Sequence, residues 1–175
     1  MKVEYGKTGT YFYLVGLILM VVSLPTSRFG LSLSLFYLLL LWIFLGLKSF
    51  SFKGICYNIK TRFTDFLHNK VAVVMVSVYV MHLIGLIYTY DFPSAFHDLR
   101  IKLPLLIIPL VLSSMKPLNS KQFDTVLWFF VASVFFVTIL GTIKFLRRDF
   151  VDVRELSLFI NYIRLSLCMV FSIFI

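Results

Sequence analysis

Six long apolar runs follow one another along this chain, separated by charged links. A bilayer core about 30 Å thick asks for roughly 20 apolar residues per helix, and Val71 to Tyr90 supplies that length without one formally charged side chain. With 60% hydrophobic residues, 14% charged residues and 20 Phe in 175 positions, no water-soluble domain could hide so much apolar surface. The pattern predicts an all-α fold: a polytopic transmembrane helical bundle of about six spans, forming a single transmembrane domain over residues 1–175.

The spans read as Tyr11 to Leu24, Gly30 to Leu47, Val71 to Tyr90, Leu103 to Met115, Thr125 to Phe145, and a sixth from Leu158 to Ile175. A long polar loop is expected from Lys48 to Lys70. Asp91-Phe92-Pro93 signals a helix start, and Phe92, Ala95, Phe96, Leu99 and Leu103 then recur at helical spacing with His97, Asp98, Arg100 and Lys102 between them. That stretch predicts a helix lying on the membrane surface. The fourth span is short and contains Pro104 and Pro109, so it is either kinked and completed by its neighbours or re-entrant. No small-residue cleavage site follows the first run, so it is read as a retained helix and not a signal peptide. Met169, Val170, Phe171, Ile173, Phe174 and Ile175 close the sequence without a cap, which leads to the expectation that the sixth span is truncated and the chain is the N-terminal portion of a longer membrane protein.

Lys and Arg resist translocation, so their placement orients the chain. With the N-terminus inside, the inner segments hold Lys2, Lys7, Lys48, Lys53, Lys60, Arg62, Lys70, Lys116 and Lys121. The outer segments hold Arg28, Arg100, Lys102, Lys144, Arg147, Arg148 and Arg154. The five-cation loop after span two decides for a cytoplasmic N-terminus. This places the link RRDFVDVRE outside. Either Asp149, Asp152 and Glu155 neutralise it and it is merely solvated, or it forms an outer-face site for an anionic lipid-linked substrate.

Span six bears on that choice. Ser157, Asn161, Arg164, Cys168 and Ser172 recur at helical spacing and form one polar stripe, with Arg164 expected about two turns, roughly 10 Å, below the helix start. A cation at that depth faces a cavity, a bundle interior or an anionic partner, or else snorkels to the headgroups. Its planar fork of donors suits a phosphate. Arg154, Arg147 and Arg148 join it as candidates on charge and topology, with Ser157 and Asn161 as supporting polar groups. His82, near the middle of span three, reads as a neutral imidazole bonded to a backbone carbonyl or hydroxyl. Trp42, Trp128, Tyr37, Tyr88 and Tyr90 read as interface anchors or packing groups. Cys56 and Cys168 have neither a CxxC spacing nor a nearby His, so neither a metal site nor a disulfide framework is expected, and no cofactor is called for. The net charge of +9 is spread over loops without an interleaved aromatic patch, which argues against nucleic-acid binding.

The order of features is similar to the N-terminal part of the O-antigen ligase and polymerase family. The resemblance rests on SLPTSRFG closing the first helix, on LSLSLFYLLLLWIF and the basic loop after it, and on HLIGLIYTYDFPSAFHDLRIKLPLLIIPLVL as third span, surface helix and Pro-containing fourth span. It rests also on FINYIRLSLCMVFSIF, which resembles a Bacteroidetes-type version in which a polar segment ending in Ile-Arg opens a core helix. The resemblance implies a multi-pass bacterial inner-membrane glycosyltransferase working on the periplasmic face. Such enzymes move glycan from an undecaprenyl pyrophosphate carrier to an acceptor in lipopolysaccharide or polysaccharide biosynthesis, without a metal. Arg164 matches the Ile-Arg position that would bind pyrophosphate. The large outer loop with its His is not present in these 175 residues, so the chain alone is expected to be inactive. Expected partners are membrane lipid, the carrier-linked glycan and the remaining helices of a longer chain. The rival readings are a non-catalytic structural or assembly subunit, in which Arg164 pairs with a partner's carboxylate, or a transporter fragment.

Overall fold

The computed structural model describes residues 7–45, 52–147 and 161–175, and every regular element among them is helical. The helices are α1 (Lys7–Thr26), α2 (Arg28–Phe44), α3 (Phe52–His68), α4 (Lys70–Gly85) continued by a 3-10 turn at Leu86–Tyr88, α5 (Phe92–Lys102), α6 (Pro104–Ser114), α7 (Ser120–Arg147) and α8 (Tyr162–Ile173). Among the described residues, three stretches are long and apolar enough to cross a membrane: Thr8–Thr26, Lys70–Tyr88 and Ser120–Arg147. The 28 residues of α7 extend about 42 Å at 1.5 Å per residue. The other predicted spans form shorter helices: α2 has 17 residues, α8 has 12 and α6 has 11, the last being only about 16 Å long. Phe135, Phe136, Trp128 and Ile139 on α7 remain exposed, as do Val74, Met75 and Met81 on α4. Water would penalise such faces and a bilayer would not.

The chain divides into two compact units, Met1–Thr10 with Leu38–Pro117, and Tyr11–Tyr37 with Leu118–Ile175. In the first, α4 packs on α6, α3 packs on both, and α5 lies against α4 and α6. Phe66, Ala72 and Val76 make its core, with Leu106 and Leu110 packed on them. Trp42 is buried and its Nε1 donates to Ser114 Oγ at 2.6 Å, which makes it a packing group and not an interface anchor. The loop expected from Lys48 to Lys70 is corrected here, because residues 52–68 form helix α3. Its polar composition conceals a helical repeat: Asn58, Arg62 and Phe66, four apart, are the buried positions, while Tyr57, Phe63 and Leu67 stay exposed. Asn69 then caps α4 by accepting from the Ala72 N–H at 3.4 Å. The helix expected after Asp91 forms: Asp91 accepts from the Ser94 N–H at 3.3 Å, Pro93 occupies the first turn, and of the helix only Leu99 is buried.

In the second unit α1 and α2 turn back on each other over the single residue Ser27. Gly30 lies against Ser23, and further along the pair Tyr37 donates its hydroxyl to the Phe12 carbonyl at 3.3 Å. The other pair is α7 with α8. Val137 meets Leu165, with Met169 packed beside them, and the rings of Phe130 and Phe171 meet edge to face at 5.6 Å. Advancing from residue 165 to 171 therefore retreats from 137 to 130, so these two helices are antiparallel.

Candidate functional site

Asn161 sits at φ −58°, ψ 137°, and its side chain accepts from the Ile163 N–H at 3.3 Å. It is the N-cap of α8, and the helix begins at Tyr162. This corrects the expected depth of Arg164: it stands in the first turn of α8, not two turns below the start. Asn161, expected as a supporting polar group on the stripe, is a cap. Arg147 is the exposed last residue of α7, ten residues or about 15 Å of helix beyond the Val137 that meets Leu165. It is therefore not gathered with Arg164. Arg148, Arg154 and Ser157 lie outside the described residues.

Arg164 is half-buried and lines a cavity of about 310 Å³. The walls are apolar: Val21 and Leu24 come from α1, and Val126, Leu127 and Phe130 from α7. From α8 itself Leu167, Cys168 and Phe171 complete the lining, Cys168 one turn below the guanidinium. Ser172, expected on the same stripe, lines a different cavity with Asp124 and Trp128. The first N–H groups of a helix lack intrahelical partners and carry its positive end. A guanidinium in that turn adds a second positive source to the same spot, and among the described residues no carboxylate forms an ion pair with Arg164. Electrostatically the place calls for an anion. The apolar walls below it call for a hydrocarbon chain. Among the described residues no group of His, Cys, Asp and Glu could hold a metal ion.

No family model, curated protein or solved structure matches this chain. The chemistry of the site therefore rests on its own residues.

One constellation escaped the sequence reading. Arg62, counted there as a loop charge, is fully buried. Its Nε donates to Asn58 Oδ1 at 3.1 Å, its Nη1 to Met115 Sδ at 2.7 Å and its Nη2 to the Leu45 carbonyl. Asn58 Nδ2 donates to the Ile43 carbonyl at 2.8 Å. The last carbonyls of α2 would otherwise be left without partners, so a cation and an amide from α3 cap that helix end. The signal available was the four-residue spacing of Asn58, Arg62 and Phe66. His82 makes the backbone contact expected of it, its Nδ1 lying 2.7 Å from the Val78 carbonyl.

Proposed function

We propose that this chain is the membrane-embedded part of a glycan transferase that takes its donor from an undecaprenyl pyrophosphate carrier in the bacterial inner membrane. In this reading six helices lie in the bilayer, the N-terminus is cytoplasmic, and Arg164 stands near the outer face. The guanidinium grips the pyrophosphate through paired charged hydrogen bonds, which its fixed fork favours over a single ammonium. The first isoprene units lie along Val21, Phe130 and Leu167. The acceptor is lipid A-core or a second carrier-linked repeat, and the acid-base chemistry comes from outside these residues.

The observation that carries the reading is one permanent cation in a helix's first turn, lining an otherwise apolar cavity. A pyrophosphate on an isoprenoid combines the two chemistries such a place accepts.

The test is binding of undecaprenyl pyrophosphate and undecaprenol to the purified protein in detergent, followed by glycan transfer measured with the intact transferase. Wild type should prefer the pyrophosphate at least tenfold, about 1.4 kcal/mol. Arg164→Ala should lose the preference and Arg164→Lys should keep little of it, with helicity unchanged in both. A Lys variant equal to wild type means that the residue merely snorkels, and equal binding of the two lipids leaves the subunit reading, with Arg164 paired to a partner's carboxylate.

A further inference from the structure

A second cavity, of about 320 Å³, lies in the other compact unit, between the end of α4 and α5. His82, Asp98 and Lys102 line it, with Leu86 and Leu99 as apolar walls. Asp98 and Lys102 stand 3.6 Å apart, one turn from each other on α5. A carbonyl oxygen only accepts, so the His82 Nδ1 that meets Val78 carries the proton, which leaves Nε2 as the ring's acceptor. Two acceptors and one cationic donor thus converge on a single hollow. A simple anion would meet Asp98 there, and a simple cation would meet Lys102. A zwitterion satisfies both, its ammonium toward Asp98 and His82 and its phosphate toward Lys102.

Two further observations bear on what fills this space. A side chain built on Gly85, which also lines the cavity, would meet nothing within 4 Å, so the absence of a side chain there is not required by packing and keeps the hollow open. The cavity also lies between α5 and the end of the Lys70–Tyr88 stretch, and the end of a stretch that crosses a bilayer is where hydrocarbon gives way to headgroup. We infer that this cavity is a binding site for the headgroup of an ethanolamine phospholipid, whose phosphate and primary ammonium are two carbons apart. The primary ammonium matters, because it donates hydrogen bonds to Asp98 and His82 and a trimethylated one cannot.

Native mass spectrometry of the detergent-solubilised protein, titrated with short-chain ethanolamine, choline and glycerol phospholipids and with free phosphoethanolamine, tests this. The ethanolamine lipid should bind at least tenfold more tightly than either other lipid, and free phosphoethanolamine should bind weakly, since it lacks the chain that meets Leu86 and Leu99. Gly85→Leu, which fills the space without removing a contact, should abolish the preference. Asp98→Asn, on an exposed side chain, and Lys102→Gln, on a partly exposed one, should each reduce it and serve if the Leu variant fails to fold. Equal binding of the three lipids by wild type overturns the inference, as does an unchanged preference in well-folded Gly85→Leu or in both charge variants. Tight binding of free phosphoethanolamine would overturn the lipid assignment.

Discussion

Arg62 donates from Nη2 to the main-chain carbonyl of Leu45, 17 positions earlier, and so closes the C-terminal end of α2 with a buried cation. The same guanidinium reaches Met115, 53 positions later, just past the end of α6. One side chain therefore ties α2, α3 and the end of α6.

Removing it should be among the most damaging single changes in this unit. Arg62→Ala strips several bonds made by a charged donor and leaves the Leu45 carbonyl and Asn58 without it, a loss of about 3 kcal/mol. Arg62→Lys should recover only part, because the three donors of an ammonium sit on one nitrogen and cannot reproduce the spread of Nε, Nη1 and Nη2. Thermal unfolding in detergent, followed by circular dichroism, measures both. An Ala variant within experimental error of wild type would show that α2 finds its cap elsewhere.

Gly30 allows α1 and α2 to approach. A methyl built on it stands 2.8 Å from Ser23 Oγ and 3.3 Å from Ser23 Cβ. In Gly30→Ala the gain in helix propensity, up to about 1 kcal/mol, offsets most of the crowding, so stability should move little. Gly30→Leu, which cannot be accommodated by turning one hydroxyl, should cost about 2 kcal/mol. Ser23→Ala in the Ala background should be stabilising, and the same change in wild type should not be; a double-mutant cycle reads the coupling.

The cap of α5 should respond to acid. Hydrogen bonds from the Ser94 side chain and then from its N–H hold the Asp91 carboxyl below its ordinary value. A carboxylate with a lowered folded pKa stabilises above the unfolded value, about 3.9, and that contribution disappears as pH falls through the folded pKa. The Ser94 amide resonance should therefore keep its capped shift at neutral pH and lose it only below about pH 4. Asp91→Asn should keep the cap through that range because Asn accepts without ionising, and Asp91→Ala should lack it at every pH. An Asn variant with the same acid transition would show that another group titrates.

The orientation proposed for the chain can be read at Cys56, which is exposed on α3, while Cys168 is half-buried at the Arg164 cavity. With the N-terminus inside, a membrane-impermeant maleimide should label Cys56 only after permeabilisation, in a Cys168→Ser background. Labelling in intact cells would reverse the orientation and move Arg164 to the inner face.

The sequence by itself determined what depends on neighbours a few positions apart. The helical class, the three stretches long and apolar enough to cross a membrane and the helix from Phe92 were all legible, because apolar periodicity and the Asp91-Phe92-Pro93 start act within one or two turns. Arg164 was also legible as an unusual cation in an apolar run. Its position in the first turn of α8 followed from Asn161 acting as a cap, which competes locally with membership of the stripe. Only the tertiary structure decided the rest. The walls around Arg164 come from α1 and α7, far away in the chain, and the burial of Arg62 depends on carbonyls at the end of a different helix. A polar side chain is stable inside only where distant elements bring it partners, and periodicity along one segment carries no record of what another segment will place opposite it.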